Sequence, residues 1–137
     1  MITNIFLQMI PPKGTAQQRK INFRSERTYM PARIKRTQKI FMDALRPYVP
    51  EKPLSGPLKV TQWWYYPFPA SRRRKGIDIA PKTTVGDADN IAKMLNDACT
   101  RCGIWADDRL IYCLTVEKYW VDPAVHPVGI DIQIQSE

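Results

Sequence analysis

Asp87 and Gly103 bracket the stretch that most restricts what this chain can fold into. An aspartate suits a helix start because its side chain can accept a bond from an orphan amide, and a glycine supplies the left-handed stop. Between them Ile91, Leu95, Ala98 and Cys102 recur at helical spacing with Met94 beside them. The pattern predicts a helix over 88–102 that buries this stripe. Its opposite face carries Asp89, Lys93 and Asp97 at i, i+4 and i+8,. Asp107 and Asp108 follow just beyond the glycine, after Trp105.

Other elements read less sharply. Asn4 to Ile10 has strand character and stops at Pro11-Pro12, because proline cannot donate to a ladder,. Lys13 to Met30 is polar and basic without a clear period, an irregular arm. A second helix is expected from Pro31, with Ile34, Phe41, Leu45 and Tyr48 on its apolar side, ended by Pro47 and Pro50,. Arg33, Lys35, Arg36 and Lys39 cover its other face, which is either solvated or turned toward phosphates. Leu58 to Tyr66 reads as a strand, Ile77 to Gly86 has no clear assignment, and Arg109 to Trp120 reads as a long strand or hairpin arm,. Gly129 to Gln135 alternates, with Ile130, Ile132 and Ile134 inward,. The order implies an α+β class, a small mixed sheet with two main helices packed against it, in one domain over 1–137.

Charge is distributed unevenly. Met1 to Gly76 holds 16 Lys or Arg against three acids, whereas Ile77 to Glu137 holds five against ten. A basic N-terminal half and an acidic half from about residue 77 suit a polyanion-binding region joined to one with a separate task. Apolar runs fall well short of the ~20 residues of a membrane helix, and Met1 to Ile10 lacks the features of a signal peptide,. A cytoplasmic location and no membrane partner are expected. Cys99, Cys102 and Cys113 do not make a disulfide framework or a zinc ribbon, and the C-x-x-C pair closes a helix instead of opening one,. Buried helical cysteines are the better reading.

Carboxylates are the hard ligands that Mg²⁺ or Mn²⁺ prefers. If the chain after the helix returned toward the helix N-terminus, Asp108 would join Asp87 and Asp89, and three carboxylates could hold one or two ions acting on a phosphate. Lys93 could then stabilise charge on that phosphate. The same residues can also be ordinary: Asp87 a cap, Asp89 and Asp97 partners of Lys93, and Asp107-Asp108 a turn. Spacing alone leaves both readings open.

The block Asp87-x-Asp89-Asn90-x-x-Lys93-x-x-x-Asp97, then Gly103-x-Trp105-x-Asp107-Asp108, resembles the signature of RusA-type Holliday junction resolvases of phages and prophages. About 22 residues match closely, and looser similarity touches the N-terminal strand with its Pro-Pro-Lys and the closing strand. The resemblance implies a small homodimeric endodeoxyribonuclease that needs Mg²⁺ or Mn²⁺ and cuts branched, four-way DNA by paired symmetric incisions in recombination and repair. It implies Asp87, Asp89 and Asp108 as metal-binding catalytic carboxylates and Lys93 as the basic partner, with Asp107 and Asp97 as additional positions. One departure stands out: the cations Arg72, Arg73, Arg74 and Lys75, read as DNA-binding, are separated from Asp87 by Gly76 to Gly86, whereas arginines abut the first aspartate in some members.

Trp63, Trp64, Tyr65 and Tyr66 could form a stacking platform, but strand alternation sends half of them to packing. Trp105 reads as packing, and His126, between prolines, as a surface residue. Two alternatives remain beside the resolvase: a nuclease acting on flaps or forks, and a basic DNA-binding protein that cuts nothing.

Overall fold

Side-chain alternation and proline placement set the sheet. The computed structural model describes residues 1–12, 20–22, 27–29, 32–72 and 76–137. Its elements divide into two compact units, one of Met1–Pro11, Ser55–Val85 and Arg109–Glu137, the other of Pro12–Leu54 and Gly86–Asp108. With a five-stranded mixed sheet and two α-helices, the chain is α+β.

The first unit is the sheet: β1 (Ile2–Leu7), β4 (Leu58–Pro67), β5 (Ile79–Pro81), β6 (Ile111–Val121) and β7 (Gly129–Ser136), in the order β1-β7-β4-β6-β5. β7 runs antiparallel to both β1 and β4, β4 runs parallel to β6, and β5 closes the edge antiparallel to β6. Along β4, Leu58, Val60, Gln62, Trp64 and Tyr66 are buried while Trp63 and Tyr65 are half-buried, the alternation expected of a pleated strand,. Gln62 is tolerated inside because its Oε1 accepts a bond from Trp64 Nε1 at 3.0 Å on the same face,. Ile130, Ile132 and Ile134 of β7 are fully buried, as their alternation predicts.

Three expectations shift here. β1 covers Ile2–Leu7 instead of Asn4 to Ile10, because its pairing with β7 ends where Leu7 meets Ile130 at the start of that strand. Gly129 makes the close approach possible: a Cβ there would run into the Leu7 carbonyl oxygen. The unassigned stretch holds β5, whose Pro81 is compatible with an edge strand,. β6 is a parallel neighbour of β4, not a hairpin arm, and parallel pairing requires the long crossover that residues 68–110 supply,.

The second unit holds α1 (Ala32–Leu45), α2 (Ala88–Cys102) and a short antiparallel pair, β2 (Lys20–Asn22) with β3 (Arg27–Tyr29). That pair falls in the arm expected to be irregular. At three residues each, its strands are too short to show a period,. α1 buries Ile34, Phe41 and Leu45 and packs against α2. Tyr48 leaves the predicted stripe, since Arg46–Tyr48 is a 3-10 turn with Pro47 inside it, and Tyr48 is exposed. Pro31 lies outside the described residues.

All three cysteines are free. Cys99 is fully buried in α2, and that burial pushes its thiol well above the ordinary range, which leaves it inert,. Cys102 is half-buried, so Cys99 takes the core position assigned to it. No helix among the described residues is long and apolar enough to cross a membrane.

Candidate active site

α2 runs from Ala88 to Cys102 with Asp87 at its N-cap, as the sequence predicts. The Asp87 carbonyl accepts the first helical bond, from Ile91 N–H at 3.0 Å. Its carboxylate does something else: it makes no capping bond to the helix amides. Asp89, in the first turn, is exposed like Asp87. Among the described residues neither carboxylate takes part in an ion pair, and Lys93, exposed one turn on, does not pair with Asp89. The cap and helix-pair roles that spacing also allowed to Asp87 and Asp89 are therefore not the ones adopted. Both acids sit at the positive end of the helix dipole, which offsets part of the repulsion between them. Asp97, two turns further along, is half-buried.

The other end of α2 is closed by backbone and side chain together. Gly103 adopts φ 91° and directs its N–H back to the Cys99 and Thr100 carbonyls. Ile104 N–H follows with a 3.0 Å bond to Cys99 O. Trp105, fully buried, donates its indole N–H to Thr100 Oγ1 at 2.8 Å, and that hydroxyl donates to Asn96 O at 3.1 Å. Leu54 then brackets the segment, donating to Ile104 O at 3.1 Å and accepting from Ala106 N–H at 2.9 Å. The chain is thus held up to the residue before Asp107, which is half-buried, and Asp108, which is exposed at the head of a 3-10 turn.

This hold limits how far Asp108 can return. The 15-residue helix is about 22 Å long,. The extended chain from Gly103 to Asp108 spans at most about 17 Å. Backbone alone cannot stand Asp108 level with Asp87, so side-chain reach has to close the remainder. Consistently, among the described residues no three His, Cys, Asp or Glu side chains converge into a set that could hold a metal. The expected return of Asp108 to Asp87 and Asp89 is not a formed cluster. The donor chemistry nonetheless suits a hard divalent ion, with exposed carboxylate oxygens that capping and ion pairs leave unused.

Two lysines of the sheet unit take roles that the sequence reading did not assign to them. Lys82 is only 3 % exposed. Its ammonium donates to Val85 O at 2.8 Å and lies 4.6 Å from the Tyr66 ring centre and 5.0 Å from that of Trp120. Cation–π attraction and the carbonyl stand in for its hydration shell. Lys118 Nζ donates to Thr84 O at 3.1 Å, and Lys82 N–H to Lys118 O at 3.0 Å. Together they pin the loop Lys82–Val85, the last residues before Gly86 and Asp87. An isolated lysine between a proline and two threonines carries no sequence signal for this role.

The remaining candidates sort plainly. Trp64 and Tyr66 are core, and Tyr65 stacks on Tyr119 at 5.9 Å and meets His126 at 4.3 Å between ring centres. His126 is thus half-buried against an aromatic face instead of lying open on the surface. Of the cationic run, Arg72 ends a 3-10 turn (Ala70–Arg72), and Arg73, Arg74 and Lys75 lie outside the described residues.

Residues 9–135 match the family model described as endodeoxyribonuclease RusA. No curated protein matches the chain.

Proposed function

The chain belongs to the endodeoxyribonuclease RusA family, and from that premise we propose that it is a divalent-metal-dependent, structure-selective nuclease that resolves four-way DNA junctions as a homodimer. The observation that carries the reading is the pair of exposed carboxylates at the head of α2, Asp87 and Asp89, neither capping the helix nor ion-paired among the described residues. Exposed carboxylate oxygens that neither cap the helix nor pair with a cation are available to a hard divalent ion.

In this reading Asp87, Asp89 and Asp108 hold Mg²⁺, or Mn²⁺, with Asp107 and Asp97 as supporting acids. A divalent ion supplies Lewis-acid polarisation of the scissile phosphate and lowers the pKa of water. Lys93 meets the phosphate as its charge builds. Arg72, Arg73, Arg74 and Lys75 contact the backbone of the substrate arms, giving salt-sensitive affinity with little base reading. Lys82 and Lys118 hold the Lys82–Val85 loop within the sheet unit. A junction has two-fold symmetry in its strand exchange, so a two-fold dimer presents one acid set to each of two opposed strands, and the incisions come in pairs.

The deciding experiment is cleavage of a labelled four-way junction against matched linear, flap and fork DNA, with Mg²⁺, Mn²⁺ or EDTA, with the Asp87→Asn/Asp89→Asn variant alongside. Paired nicks near the branch point that require metal and vanish in the variant are expected. Preferential cutting of flaps or forks would replace the junction with another branched substrate. Tight junction binding without any cutting would replace the nuclease with a binder.

A further inference from the structure

β6 is 11 residues long, yet β5 pairs only with its last three, Tyr119, Trp120 and Val121. Lys82 N–H adds one bond, to Lys118 O at 3.0 Å. From Ile111 to Glu117 the edge away from β4 has no strand beside it among the described residues. Which backbone groups face that edge follows from the bonds at its far end. Lys118 O and Asp122 N–H bond on the β5 side, whereas Val121 O accepts from Phe68 N–H on the β4 side. Backbone groups alternate sides along a strand, and β6 pairs residue for residue with β4 from Cys113 to Val121,. Leu114 and Val116 therefore turn their N–H and C=O to the open edge.

A bare edge on its own is only hydrated backbone, and proteins guard such edges with charge, proline or a bulge. Here the one bulge lies at Tyr112, between the Leu58–Ile111 and Lys59–Cys113 pairs. Past it the edge is regular. Ile111 to Val116 holds neither charge nor proline, in a chain with 21 cations and 13 acids. The side chains add a second sign. Leu114 pairs in register with Val60, and Val116 with Gln62, and both of those β4 residues are fully buried. Leu114 and Val116 thus belong to the core face of the sheet. Even so, Leu114 is 43 % exposed and Val116 only half-buried. Backbone and apolar surface are left incomplete at the same place, and an added strand completes both at once.

We propose that the occupant of this edge is the β6 edge of a second copy, paired antiparallel about a two-fold axis through Thr115. It supplies the contact surface of the homodimer and rests on that reading. Thr115 is the midpoint of the regular open stretch from Cys113 to Glu117. With the axis there, Leu114 and the partner's Val116 exchange both backbone bonds, and symmetry repeats the exchange. Their side chains meet on the core face, apolar against apolar. On the other face Glu117 stands opposite the partner's Cys113. The partner's Lys59, the exposed register neighbour of that cysteine, lies one strand further, about 10 Å from Glu117 between backbones,. Long side chains of opposite charge thus line up across the seam, and no like charges stand opposite each other. The two five-stranded sheets become one continuous sheet.

The test is sedimentation of the full chain over a dilution series, joined to cross-linking at the axis. The wild type should sediment at twice the chain mass. Thr115→Cys should form a disulfide-linked dimer on mild oxidation, because a non-hydrogen-bonded pair holds its Cα atoms about 4.5 Å apart, within disulfide range. Wild type should stay uncross-linked under the same oxidation, since this register sets the two Cys113 residues about 13 Å apart along the seam. Val116→Pro removes an N–H from the open edge and spares those that bond β4. It should raise the dimer dissociation constant about 30-fold, as two hydrogen bonds of ordinary net strength are lost across the axis. A dimeric wild type whose Thr115→Cys variant stays uncross-linked overturns this edge and leaves the homodimer reading standing. A wild type that is monomeric both alone and on a four-way junction overturns the two together.

Discussion

The two ends of α2 are built to opposite purposes. At its C-terminus Gly103, Thr100, Trp105 and Leu54 exchange hydrogen bonds until little is left unsatisfied. At its N-terminus the one residue placed to cap, Asp87, withholds its side chain, and Asp89 stands exposed beside it. A helix end that satisfies itself contributes rigidity. One that leaves charge unneutralised is available to a cation, the role we propose for it. The closed end also serves the open one, because it fixes the path of the chain into Asp107 and Asp108.

If that contrast is right, substitutions at the open end change activity and those at the closed end change stability. The largest effect is expected at Asp89→Asn, where cleavage of a four-way junction should fall by about 10³-fold or more. Binding in EDTA should hold or tighten, because a charge that repels DNA is gone. Equal loss of binding and melting temperature would make Asp89 a structural residue and break the comparison. Trp105→Phe keeps most of the packing but removes the indole donor to Thr100. It should lower stability by about 1–3 kcal/mol in denaturant melts, with the cleavage rate per folded molecule kept within a few-fold.

Gly103→Ala comes next. A Cβ there meets only Val49 Cγ1 at 3.7 Å and Pro53 Cγ at 3.9 Å, ordinary van der Waals distances. The cost is therefore the left-handed backbone alone, about 1–2 kcal/mol. A much larger loss would mean that the turn carries strain beyond its φ. Thr100→Val sharpens the contrast at the small end. It removes the acceptor for Trp105 Nε1 and the donor to Asn96 O, and about 1–2 kcal/mol of stability should go with them,. Thr100→Ser, which keeps the hydroxyl, should restore most of it.

Much of this was legible in the chain. The bounds of α2, its Gly103 stop, the inward isoleucines of β7 and the half-in alternation of β4 all follow from short-range spacing, which directs side chains before any tertiary contact forms. The acid block was equally plain, and with it the family. Short elements were not: β2, β3 and β5 have three residues each, too few to show a period. Asp87 takes the N-cap position as its residue type suggests, but its side chain makes no capping bond, since a residue type favoured at a position does not dictate where its carboxylate turns.

By itself, the sequence determined which residues share a face, where α2 begins and ends, and that five acids cluster along a chain otherwise rich in cations. Only the tertiary structure decided what those faces meet. It set β4 parallel to β6, folded Lys82 between Tyr66 and Trp120, and buried Gln38 with an amide nitrogen that has no partner among the described residues. The physical reason is range. Helix and strand periodicity follow from local backbone geometry, whereas burial, cation–π contact and unpaired donors arise only when segments far apart in the chain close on one another.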